Sequence, residues 1–119
     1  MEKFRRYFEA FSAATEWSEV QPAFNDVFHP DLRVVTPEGK LNKGQWEETV
    51  KGLLAKGVKA TDSEVAKEEG DTVYYSMTLT FPEGEQLHPS SKVTIKDGQV
   101  VRVEPVDPAA YSRLVENSS

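Results

Sequence analysis

The side chains of this 119-residue chain that could trade a proton near neutral pH are few: two histidines, His29 and His88, and no cysteine. Histidine is the side chain whose ordinary charge change falls between pH 5 and 8, so general acid–base chemistry would run through one of these two. His88 precedes Pro89-Ser90-Ser91, where a strand begins. That place suits a pocket mouth, with Tyr7, Ser91 or an acidic neighbour as partner, and His88 and Tyr7 are the catalytic candidates. A solvated loop histidine is the plain alternative. His29 follows a helical pattern, where an imidazolium would meet the negative end of the helix dipole, which is a structural role.

Other chemistries lack their residues. Without cysteine there are no disulfides, thiolate nucleophiles or zinc–sulfur sites. The histidines are far apart and form no His-x-His or His-x-x-x-His pair, so no metal is expected. No glycine-rich phosphate loop or Gly-x-Ser-x-Gly elbow occurs, and no cofactor is expected. The acidic run from Glu64 to Asp71 reads as a solvated edge strand and turn. Glu68-Glu69-Gly70-Asp71 does not supply the regular oxygen ligands of a calcium loop. A formal net charge of −6 gives no general attraction to phosphates, so nucleic acid is not an expected partner. No apolar run approaches the roughly 18 residues of a membrane span. The start, Met1-Glu2-Lys3-Phe4-Arg5-Arg6, is amphipathic rather than a signal core. Together with the missing cysteines this fits a reducing, cytoplasmic setting.

The elements that must position these side chains follow from periodicity. Phe4, Tyr7, Phe8 and Phe11 stripe one face of a first helix. Ser18 and Gln21 have capping-box spacing for a second, with Pro22 in its first turn and Val20, Phe24, Val27 and Phe28 buried. His29-Pro30-Asp31 ends it. A strand is expected over Leu32–Thr36, then the Pro37-Glu38-Gly39 turn and a short return at Lys40-Leu41. Asn42 is an N-cap for a third helix carrying Trp46, Val50, Leu53 and Leu54, with Gly57 as its left-handed cap. Strands are expected from Thr61 to Glu68, from Thr72 to Phe81, around Ser91, Val93 and Ile95, and from Gln99 to Val106. Asp97-Gly98 is a hairpin turn signal. A short tail, Pro108 to Leu114, has some helical character. Helices first and a meander afterwards make an α+β chain of one domain, three helices over a bent antiparallel sheet.

The order of Phe28-His29-Pro30-Asp31, the Pro37-Glu38-Gly39 turn before the Trp46 helix, and Asp97-Gly98-Gln99-Val100-Val101-Arg102 resembles the nuclear transport factor 2-like superfamily, and within it the SnoaL-like and ketosteroid-isomerase-like small domains. The resemblance spans about Phe4 to Val106. It implies a cone with a pocket between the helices and the concave sheet face. It also implies a homodimer, formed through the outer sheet face carrying Thr72, Tyr74, Ser76, Thr78 and Thr80. Members include isomerases, cyclases, dehydratases and binding modules, and fold alone does not choose among them. Isomerase chemistry of this kind uses an aspartate base with a tyrosine and a protonated aspartate. The resemblance puts the base near Thr36 and the acid at Ser91, so both carboxylates are missing, while Tyr7 roughly matches the tyrosine. The expected role is therefore binding of a small hydrophobic molecule, by Tyr7, Phe11, Phe24, Trp46, Tyr75, Met77, His88, Ser91 and Val93. The alternatives are an enzyme of the same fold using His88 and Tyr7, and a non-catalytic homodimeric interaction module. Against any pocket stands a core filled by Phe4, Phe8, Phe11, Phe24, Phe28, Trp46 and Phe81.

Overall fold

Helix α1, Glu2–Ala13, buries the four aromatics whose spacing predicts it, Phe4, Tyr7, Phe8 and Phe11. The computed structural model describes residues 2–37 and 39–106, setting aside the side chains at 62 and 63. Glu38 of the first turn and the tail expected at Pro108 to Leu114 lie outside the described residues. A 3₁₀ turn, Trp17–Glu19, separates α1 from α2, Gln21–Val27. The Ser18/Gln21 capping box does not form. Glu19 Oε1 instead accepts the N–H groups of Thr15 and Glu16, each at 3.2 Å, and the Thr15 hydroxyl at 3.1 Å. Those donors, Thr15 N–H foremost, hold the Glu19 carboxyl below its usual range. A carboxylate accepts backbone N–H groups more strongly than a serine hydroxyl does, so it closes its own turn and the helix begins beyond Ser18.

Strand β1 runs Phe28–Thr36, longer than the expected Leu32–Thr36. Phe28 pairs with Val100, and the register then shifts between Phe28 and Arg33. Pro30 has no N–H to donate and sits in that irregular stretch, where the ladder does not call on it. Strand β2, Gly39–Asn42, returns antiparallel and delivers Asn42 to the start of α3, Lys43–Ala55. Asn42 Oδ1 accepts Gln45 N–H at 2.9 Å and Gln45 Oε1 accepts Asn42 N–H at 2.8 Å. Asn42→Ala removes half of this reciprocal cap and should lower stability by about 1 kcal/mol in urea unfolding. At the far end Gly57, with φ 81°, lets its N–H reach Leu54 O and lets Val58 N–H reach Leu53 O, the expected left-handed cap.

The remaining strands are β3 (Lys59–Glu69), β4 (Thr72–Thr80), β5 (Gln86–Leu87), β6 (Ser90–Lys96) and β7 (Gln99–Pro105). Their order is β2-β1-β7-β6-β4-β3, with β5 on β4. The sheet is mixed rather than antiparallel throughout, because β1 and β7 pair in parallel. Helix α3 carries the chain back along the sheet, so β3 points the same way as β2. The three reversals that follow then bring β7 to β1 in the same direction. Side-chain alternation does not register strand direction, so the sequence is silent on this. Two register shifts in β3 bend the sheet toward the helices. Asp97 (φ 54°) and Gly98 (φ 75°) form the expected two-residue turn between β6 and β7. On β4, Val73, Tyr75 and Leu79 are buried on the concave face, and Thr72, Tyr74, Ser76, Thr78 and Thr80 lie half-buried on the other. No described helix is long and apolar enough to cross a membrane.

Candidate ligand cavity

Between α1, α3 and the concave sheet face lies a cavity whose position is set by a few ties. The Ser12 hydroxyl donates to Ala60 O and accepts Ala60 N–H, fixing the end of α1 to β3. Gln99 Nε2, at the tip of the β6–β7 hairpin, donates to the carbonyls of Asn25 (3.3 Å) and Asp26 (3.1 Å) at the end of α2. That glutamine does what the sequence assigns to His29. The His29 ring accepts Asp31 N–H at Nδ1, 3.0 Å away.

Helix α1 contributes Phe4, Tyr7, Phe8 and Phe11 to the lining, and α3 contributes Trp46, Val50 and Leu53. The sheet side supplies Phe28, Ala60, Tyr75, Met77, Leu79, Ser91, Val93 and Val103, with Pro89 between β5 and β6. Tyr75 stacks against Phe4 and Phe8 at ring distances of 5.1 and 5.2 Å, so aromatic side chains occupy much of the space. What stays open is a cavity of ≈ 50 Å³. An engineered apolar cavity of about 150 Å³ takes benzene, so this one accommodates a smaller fragment until a lining side chain moves. Met77 is the described lining residue that is not buried, which places the mouth beside it. An unbranched thioether with three rotatable bonds is well suited to swing aside.

Of the residues expected to bind, Tyr7, Phe11, Trp46, Tyr75, Met77, Ser91 and Val93 line the cavity. Phe24 and His88 do not. Phe24 lies beneath it, fully buried among Phe28, Trp17 and Tyr7 at 4.7, 5.3 and 6.1 Å. His88 is exposed, with Nδ1 3.1 Å from Thr78 Oγ1. Strand parity explains this. Leu87 pairs with Leu79 and Ser91 with Tyr75, all facing in, so His88 falls opposite Thr78 on the outer face. Pro89 interrupts what would otherwise be one strand and takes the inward place opposite Met77, with Met77 N–H donating to its carbonyl at 3.2 Å. Phe4, Phe8, Phe28, Val50, Leu53, Ala60, Leu79 and Val103 also line the cavity and were expected only as core or not singled out. Helical or alternating apolar spacing marks a residue as inward and does not say whether it meets a neighbour or a void.

No protein-family model and no curated protein matches the sequence. Solved structures do match the fold. A protein from Jannaschia sp. CCS1 assigned as a SnoaL-like polyketide cyclase is 18% identical, covers 96% of this chain and 89% of its own, and superposes with a TM-score of 0.68. A designed protein, NT-9, of nuclear transport factor 2 fold is 17% identical over 98% of this chain and 90% of its own, with a TM-score of 0.68. A protein of unknown function from Exiguobacterium sp. 255-15, called nuclear transport factor 2-like, is 17% identical over 87% of this chain and 96% of its own, with a TM-score of 0.62. The chain has the nuclear transport factor 2-like fold.

Within that fold the two positions given to carboxylates by the isomerase resemblance can be placed. Thr36 donates its hydroxyl to Gly39 O at 2.8 Å and does not line the cavity. Ser91 does line it and is buried. None of the described lining residues of this nuclear transport factor 2-like cavity is a histidine, aspartate, glutamate, lysine or arginine, and its polar side chains are Tyr7, Trp46, Tyr75 and Ser91.

Proposed function

We propose that this domain binds a small, neutral, largely hydrophobic molecule in the cavity between α1, α3 and the concave sheet face. The observation that carries the reading is the lining itself: buried aromatic and aliphatic side chains around open space, an almost wholly apolar wall with no formal charge among the described lining residues. Ligand sites of soluble proteins have that composition. Binding is favoured over acid–base catalysis because His88, the expected proton carrier, faces away from the cavity. A tyrosine hydroxyl, with an ordinary pKa of about 10, is a poor base at neutral pH.

The test is a thermal-shift titration against neutral ketones, terpenoids, steroids and small aromatics, on wild type and on Met77→Trp. Several members of such a panel should raise the melting temperature saturably, since a ligand that binds only the folded state stabilises it by mass action. Met77→Trp fills the mouth from a half-buried position and should abolish the response with little change in the unliganded melting temperature. An equal response in the variant would place the binding elsewhere.

A further inference from the structure

We infer that the molecule taken by this cavity presents a neutral hydrogen-bond acceptor, of the carbonyl class, to the indole N–H of Trp46. The inference rests on the proposed binding function and narrows its ligand. Trp46 sits near the start of α3, is 8% exposed and lines the cavity. Its Nε1 is buried and has no acceptor among the described residues. An indole N–H can only donate, and buried indoles ordinarily find a partner. A buried donor left unmet has given up its hydration with nothing in return, so a ligand bringing an acceptor recovers that loss on binding.

Acceptors come charged or neutral, and the lining separates them. No described lining residue carries a cation that could neutralise a carboxylate or a phosphate, and burying an anion without a partner is strongly unfavourable. A ketone, lactone or amide carbonyl that reaches the buried N–H once a lining side chain has moved avoids the penalty of an unpaired anion, while its hydrocarbon part covers the aromatic and aliphatic walls. Trp17 is an internal control. Its Nε1 is also buried without a described acceptor, but Trp17 does not line the cavity; it packs on Phe24 with Lys51 Nζ 5.6 Å from its ring centre.

Cyclopentanone and methylenecyclopentane differ by an oxygen in place of a CH₂ group, and cyclopentanecarboxylate is an anion of similar size. Each is titrated into the full chain while the two tryptophan indole signals are followed in proton–nitrogen correlation spectra, assigned with Trp46→Phe. The ketone should bind about tenfold more tightly than the hydrocarbon, moving the Trp46 indole signal downfield and leaving the Trp17 signal in place. In Trp46→Phe the ketone buries its carbonyl without a donor, so it should lose that advantage and bind no more tightly than the hydrocarbon. Equal affinities in wild type with the Trp46 signal unmoved, or tightest binding by the anion, overturn the inference and leave a cavity that binds by shape alone. No saturable binding by either neutral compound, nor by any member of the neutral panel above, removes the binding function and the inference together. If Trp46→Phe does not fold, the wild-type ketone and hydrocarbon titrations decide by themselves.

Discussion

Ser91→Asp should leave the protein about as stable as wild type at pH 4 and about 4 kcal/mol less stable at pH 7, a loss of about three pKa units at 1.36 kcal/mol each. Ser91 is 3% exposed, lines the cavity and pairs across the sheet with buried Tyr75. A carboxyl there leaves water for surroundings with no described cation, so its folded-state pKa rises above the unfolded value of about 3.9. The sign follows. Below that value the group is protonated in both states and burial carries no charge penalty. As pH rises toward the raised folded pKa, the unfolded chain ionises and the folded one resists, so stability falls steadily and then levels off. Urea unfolding of variant and wild type at each pH measures the difference. A difference that does not change with pH would mean the new side chain reaches water, and Ser91 would not face an apolar enclosure.

Phe24→Ala should cost about 3–5 kcal/mol, the usual range for deleting a fully buried phenyl ring. That is a large part of the roughly 5–15 kcal/mol that holds a domain together, and a fall in melting temperature of roughly 10–20 °C is expected. The ring is 0% exposed and in edge or tilted contact with Phe28, Trp17 and Tyr7, joining α1, the 3₁₀ turn, α2 and β1. Because Phe24 does not line the cavity, ligand affinity measured below the new melting temperature should persist. A loss under 1 kcal/mol with affinity abolished would reverse the assignment, making Phe24 a pocket residue and not a core one. Calorimetry and the ligand titration, run on the same variant, separate the two roles.

The contrast between Phe24 and Phe11 shows where sequence reading stops. Both sit on apolar helical stripes and both are buried, yet Phe11 borders the cavity and Phe24 is packed beneath it. Periodicity gives the face of a helix, not the depth of a residue along the line of sight into the core. The elements themselves were legible because each carries local chemistry. Asp97-Gly98 made its turn, Asn42 its cap and Gly57 its left-handed end, since those geometries depend on the residues present and not on distant contacts. His88 shows the opposite case. Its placement depends on the pairing of Leu87 with Leu79 and of Ser91 with Tyr75, with Pro89 interrupting the strand between them, and register of that kind is fixed only by the partner strand. Gln99 is hidden for a related reason: its amide satisfies α2 carbonyls more than seventy positions earlier, a contact that no local pattern records. The parallel closure of β1 on β7 is likewise a product of the long path between them.

The cavity as a ligand site is tested most directly by methyl NMR. The methyl signals of Met77, Leu79, Val93 and Val103, which line the cavity, are followed together with those of Val27 and Val58, which are fully buried and do not. Titration with neutral apolar compounds should shift the first set saturably, Met77 at the mouth included, and leave Val27 and Val58 in place. Lining methyls that stay unmoved throughout the panel, or shifts found only on the outer face around Thr78 and His88, would contradict the account.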